Sequence, residues 1–114
     1  MAPIELYFWP TPNGWKIAIM LEECELPYKL IWVDLSQKEQ FKSSFLALSP
    51  NGRMPAIVDP NGPDNCTISI FESGAILQYL GNRTGRSQIF SSPEFVFYGK
   101  FLSSPLIFKR ILKF

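Results

Sequence analysis

Residues 54 to 80 decide the fold: Met54-Pro55-Ala56-Ile57-Val58-Asp59-Pro60-Asn61-Gly62-Pro63-Asp64-Asn65-Cys66-Thr67-Ile68-Ser69-Ile70-Phe71-Glu72-Ser73-Gly74-Ala75-Ile76-Leu77-Gln78-Tyr79-Leu80. Ala56 to Asp59 reads as a buried strand, because a short apolar run enters from a proline and leaves into a turn. Pro60 to Asn65 is rich in the residues that turns require. Thr67 to Phe71 then alternates polar and apolar, which predicts a strand paired with the one before it. From Glu72-Ser73-Gly74 the period changes. Ala75, Ile76, Tyr79 and Leu80 share one face of a helix, with Ser73 as a candidate cap and Gly81 as its expected stop.

Working outward, Ile4 to Trp9 predicts a first strand, broken by Pro10-Thr11-Pro12-Asn13-Gly14. A helix follows with Ile17, Met20, Leu21 and Cys24 facing in and Glu22, Glu23 and Glu25 facing out, limited by Pro27. Tyr28 to Leu35 predicts a second strand. After the polar stretch from Ser36 to Lys42, Phe45, Leu46 and Leu48 predict a short second helix ending before Ser49-Pro50-Asn51-Gly52. The order is β-α-β-α-β-β-α: a parallel βαβ unit, then a hairpin and a closing helix. This is an α/β chain in the thioredoxin-like order, with a mixed four-stranded sheet expected.

The chain of 114 residues has the length of one domain, and an apolar fraction of 46% supplies a core. Its net charge of +1 points to neither nucleic acid nor a membrane surface. That average hides a split at residue 85. Residues 1–85 carry six Lys or Arg against nine Asp or Glu, whereas residues 86–114 carry five against the single Glu94. No export signal and no long apolar span are present, so a cytoplasmic location is expected. With no histidine, Ser-His-Asp and Cys-His catalysis are excluded within the chain. Cys24 and Cys66 fit neither a C-x-x-C pair nor a metal site, and no metal is expected.

Three short segments carry chemistry. Thr11-Pro12-Asn13-Gly14 sits where a helix presents unpaired N–H groups and the positive end of its dipole, a place that favours an anion such as a thiolate. Thr11 and Asn13 add a hydroxyl and an amide, although both residue types also serve as plain caps. Met54-Pro55 opens a strand with a proline. Glu72-Ser73 opens a helix with a carboxylate suited to an ammonium group, beside N–H groups suited to a carboxylate, or simply with a cap.

In this order and spacing, Leu6-Tyr7-Phe8, Pro10 to Gly14, Ser49 to Asp59 and Ile70 to Leu80 resemble the N-terminal thioredoxin-like domain of the glutathione S-transferase family. The Thr-Pro-Asn-Gly segment is similar to its nu-class branch of glutathione-dependent disulfide-bond oxidoreductases and to related fungal transferase-like proteins. The resemblance implies glutathione or glutathione disulfide as ligand and co-substrate. It implies that Thr11 and Asn13 contact the sulfur as catalytic residues, and that Met54, before a cis Pro55, pairs through its backbone with the cysteinyl unit. Glu72 and Ser73 would hold the γ-glutamyl end and Gln40 the glycyl end. The activated thiol would then attack an electrophilic carbon (transfer) or a disulfide sulfur (reduction).

Complete family members continue into an all-helical domain. Residues 86–114 do not show its long amphipathic helices, so the expected division is a glutathione-binding domain at 1–85 and an atypical tail at 86–114. Three readings of the tail stand: the unrelated end of a truncated product, a helix covering a face left bare, or a basic amphipathic segment. Alternatives to an enzyme are a non-enzymatic glutathione-binding regulatory module and an inactive truncated product. A homodimer is an expectation from the resemblance alone.

Overall fold

The computed structural model describes residues 2–85; the expectations for the tail and for the boundary at 85 lie outside the described residues. Four strands, β1 (Ile4–Phe8), β2 (Tyr28–Trp32), β3 (Ala56–Asp59) and β4 (Ile68–Phe71), form one mixed sheet in the order β2-β1-β3-β4. β1 runs parallel to β2, with Ile4 opposite Tyr28 and Phe8 opposite Trp32. It runs antiparallel to β3, which is itself antiparallel to β4. Three helices complete the order: α1 (Pro12–Glu23), α2 (Ser43–Leu46) and α3 (Ser73–Thr84).

The two-residue period of β1 assigns its sides. Ile4, Leu6 and Phe8 are buried on one face, against Ile17, Met20 and Leu21 of α1, Ile57 of β3, and Ile76 and Leu80 of α3. Each such fully buried side chain contributes about 1.5–3 kcal/mol. Tyr7 points to the opposite face, where Val33, Phe45, Met54 and Ala56 form a smaller core beside α2. The sheet is thus a middle layer, with α1 and α3 on one side and α2 on the other. Cys24 is buried in the main core, and Cys66 is an exposed free thiol in the turn between β3 and β4.

Four sequence expectations are corrected. β2 stops at Trp32 rather than reaching Leu35, because Asp34 turns the chain. Its side chain accepts from the Ser36 amide at 2.9 Å and starts a 3₁₀ turn at Leu35–Gln37. α3 does not stop at Gly81, which is buried inside it; the helix continues to Thr84 and ends on Gly85 at φ 72°. Thr84 Oγ1 donates to the Leu80 carbonyl at 2.8 Å and Arg83 is bonded to Asp59, and both hold this last turn. Ala75 is exposed, so the buried face of α3 narrows to Ile76 and Leu80, with Tyr79 half-buried. Ser73 is the first helical residue, not the cap. Glu72 takes that place without a side-chain cap bond.

The far end of β3 is tied to α3 by a buried polar network. Asp59 is fully buried; its Oδ2 accepts from Tyr79 Oη at 2.5 Å and from Arg83 Nη1 at 2.8 Å, and its Oδ1 from the Asn61 amide at 2.9 Å. Burial, followed by the hydrogen bond to and the charge of Asp59, pushes the Tyr79 hydroxyl up to about 12.

Candidate functional site

The strand register gathers the chemistry-bearing segments at one end of the sheet. Tyr7 of β1 lies opposite Ala56, and Ala56 lies opposite Phe71. The chain leaving β1 toward Thr11, the chain entering β3 through Met54-Pro55, and the chain leaving β4 through Glu72 therefore emerge side by side.

Thr11 is extended (φ −134°, ψ 162°) and caps α1: its Oγ1 accepts from the Gly14 amide at 3.2 Å, and Pro12 follows in the first turn. The capping role that the sequence allowed is thus observed. Thr11 Oγ1 also donates to Met54 Sδ at 3.3 Å. Asn13 is exposed on the first turn. Gly14 is the point of closest approach between segments. A Cβ there would run into the Trp9 carbonyl oxygen and lie 3.0 Å from the Met54 methyl. Gly14→Ala should therefore lower stability by about 1–3 kcal/mol through overpacking against backbone that cannot step aside. A lower midpoint with unchanged slope in urea unfolding is the expected signature; an unshifted midpoint would contradict this packing.

The peptide bond between Met54 and Pro55 is cis. The turn before it is held by Ser49, whose buried hydroxyl donates to the Arg53 carbonyl at 2.7 Å. Gly52 adopts φ +65° beneath the Phe41 ring, 2.9 Å from the place a Cβ would occupy. On the third segment Glu72 has φ 76° and ψ 118°, a region costly for any residue with a Cβ. The cost, about 1–3 kcal/mol, holds an exposed carboxylate beside the N-terminus of α3.

Two cavities open on this edge. One of about 70 Å³ is lined by Asn13, Arg53, Met54, Pro55, Glu72 and Ser73. The other, of about 250 Å³, is lined by Thr11, Asn13, Leu35, Gln40, Gly52, Arg53 and Met54. They share Asn13, Arg53 and Met54, and so lie side by side as the two halves of one cleft. All seven candidate residues, Thr11, Asn13, Gln40, Met54, Pro55, Glu72 and Ser73, line it. Gln40 Oε1 is buried with no hydrogen-bond partner among the described residues, which leaves an acceptor unsatisfied in the wall of the cleft. A larger cavity of about 400 Å³ lies at the other end of β3, where Tyr79 and Arg83 serve the Asp59 network. Volume alone therefore does not locate the chemistry.

Arg53 is the residue that sequence reasoning missed. It lines both halves of the cleft and, among the described residues, brings the cleft a cation that no acid pairs. Its only signal in the sequence was a position next to Met54. Among the described residues no cluster of three or more His, Cys, Asp or Glu side chains is placed to hold a metal ion. No described helix is long and apolar enough to cross a membrane.

A mixed β2-β1-β3-β4 sheet with a cis proline opening β3 and a cleft at that end defines a thioredoxin-like domain. Residues 11–83 match the family described as glutathione S-transferase, N-terminal domain, and the chain belongs to it. The disulfide-bond oxidoreductase YfcG of Escherichia coli K12 is 57% identical over 83 residues, 72% of this chain and 39% of that protein. A glutathione transferase from Pseudomonas putida, solved with one glutathione disulfide per subunit, superposes with a TM-score of 0.72 at 48% identity. The match covers 73% of this chain and 36% of that one. One from Burkholderia graminis, with two glutathione molecules per subunit, matches with a TM-score of 0.72 at 50% identity, over 74% of this chain and 35% of that one. The chain thus spans between about a fifth and two fifths of the length of the curated relatives it matches (39% of YfcG, 20% of a Candida maltosa relative).

Proposed function

We propose that the chain binds glutathione in the Thr11–Met54–Glu72 cleft and activates its thiol, for disulfide reduction in preference to transfer. The observation that carries this reading is the convergence of seven side chains from four separate segments on one cleft. Glu72 faces the γ-glutamyl ammonium, and Ser73 with the first amides of α3 faces the neighbouring carboxylate. The Met54 backbone pairs with the cysteinyl unit as an added strand would. Gln40 and Arg53 suit the glycyl carboxylate. The sulfur then lies toward Asn13 and the N-terminus of α1.

There the dipole and a donated hydrogen bond favour thiolate over thiol. Each unit by which the thiol pKa falls corresponds to about 1.4 kcal/mol, within what one charge-assisted hydrogen bond of about 1.5–3 kcal/mol supplies. The thiolate attacks one sulfur of a disulfide, forming a mixed disulfide with glutathione as the other sulfur leaves as thiolate. The name of the 57%-identical relative, a disulfide-bond oxidoreductase, favours reduction.

Calorimetric titration of the chain with reduced and then oxidised glutathione tests this reading, alongside reduction of a model disulfide. Saturable binding of either form with disulfide turnover is the expected result. Binding without turnover would make the chain a glutathione-binding module. No binding by a cooperatively folded chain would sink the proposal.

A further inference from the structure

The Met54 side chain does more than line the cleft. Its sulfur accepts the Thr11 hydroxyl at 3.3 Å, and its methyl packs over Gly14 at the start of α1. Only 9% of the residue is exposed, and it faces both halves of the cleft. The Thr11 oxygen is anchored as an acceptor by the Gly14 amide at 3.2 Å, so its position is fixed and only the direction of its proton is free. That proton is directed at a thioether.

We propose that Met54 is a positioning residue: its sulfur holds the Thr11 hydroxyl proton until a ligand sulfur claims it, and so tunes how strongly Thr11 acts on that sulfur. The inference rests on the glutathione reading above. A thioether is a weak acceptor, whereas a hydrogen bond to an ionised acceptor is about twice as strong as a neutral one. The hydroxyl therefore turns from Met54 to a bound thiolate but not to a bound neutral thiol. The proton stays on the Thr11 oxygen throughout; only its acceptor changes. Surrendering the Met54 bond subtracts from the stabilisation of the thiolate, so a side chain of similar volume without an acceptor raises the thiolate fraction.

Met54→Leu conserves volume and removes the acceptor. In the parent chain and in the variants, the ultraviolet absorbance of bound glutathione thiolate is followed against pH. Met54→Leu should raise the thiolate fraction about two- to threefold on the acid side of the transition, which corresponds to a lost hydrogen bond of about 0.5 kcal/mol. The same substitution should do nothing in a Thr11→Val background and retain its effect in Thr11→Ser. In the ligand-free chain, the ¹³C methyl resonance of Met54 should move on Thr11→Val and, in the parent, on adding reduced glutathione.

A Met54→Leu effect that persists in Thr11→Val, an unchanged or lowered thiolate fraction, or a Met54 methyl indifferent to Thr11 would each overturn the inference while leaving glutathione binding intact. Absence of glutathione binding to the parent chain would overturn both readings, and so is told apart from failure of this one.

Discussion

Replacing Glu72 with alanine should weaken glutathione binding by about 10- to 100-fold, the loss expected when a charged hydrogen-bonding partner of about 1.5–3 kcal/mol is removed. The fold should survive, because the Glu72 side chain caps nothing in α3. Its backbone gives the prediction a second arm. At φ 76° and ψ 118° the residue is strained by its own Cβ, which alanine keeps and glycine lacks. Glu72→Gly should therefore be more stable than Glu72→Ala by about 1 kcal/mol, although both lose the ligand. In a domain of this size that corresponds to about 4–8 °C in melting temperature. Calorimetric titration and thermal melts of the two variants check both arms. Undiminished binding by Glu72→Ala would remove the γ-glutamyl assignment. Equal melting temperatures would remove the strain. Stability sacrificed at a residue that supports no packing is the pattern expected of a binding position.

The second large effect belongs to Asp59, which touches no part of the cleft. Asp59→Ala leaves the Arg83 guanidinium and the Tyr79 hydroxyl without their buried acceptor, and it should cost about 3–5 kcal/mol. Much of a small domain's total stability would go with it, so the variant should unfold at low urea or not fold at all. Asp59→Asn, which keeps the shape and one acceptor oxygen, should lose less.

The same network has a pH signature. The Tyr79 hydroxyl is raised to about 12 in the fold from about 10 in the unfolded chain, so the fold favours its neutral form. That contribution is fully present below pH 10 and is lost as pH rises from about 10 toward 12. Urea midpoints measured across this alkaline window should fall more steeply in the parent than in Asp59→Asn. Parallel slopes would show that Asp59 does not hold the Tyr79 proton.

Much of the fold was legible because its signals are local. The prolines and glycine at 10–14 end β1, the turn residues at 60–65 join two alternating runs, and Ile17, Met20 and Leu21 repeat at helical spacing. The misreadings have different causes. Gly81 looked like a helix stop because a glycine close to the end of an apolar run usually is one. What carries α3 past it is Arg83, bonded to an aspartate 24 residues earlier. The reach of β2 was overstated because the alternation of residues 30–34 runs on beyond Trp32, where the strand ends just before the local turn at Asp34.

The site divides in the same way. Thr11, Asn13, Met54, Glu72 and Ser73 stood out because each lies at a join of elements, where backbone N–H groups go unpaired or a proline opens a strand. Arg53 did not stand out, since an arginine in a turn is ordinary until the turn is seen to face a cleft. The bond from Thr11 to Met54 spans 43 residues and leaves no periodicity to read.

The sequence by itself determined the order of elements, the joins between them and the kind of chemistry that each join can carry. All of these follow from residue type and spacing within about one helical turn or one strand. Only the tertiary structure decided that three joins emerge at the same edge of one sheet. It also set the direction in which the Thr11 proton points, and it placed a buried aspartate to fasten the opposite end. Those outcomes depend on strand register and on contacts between residues far apart in the chain, which the burial of β1 and its neighbours fixes as a whole.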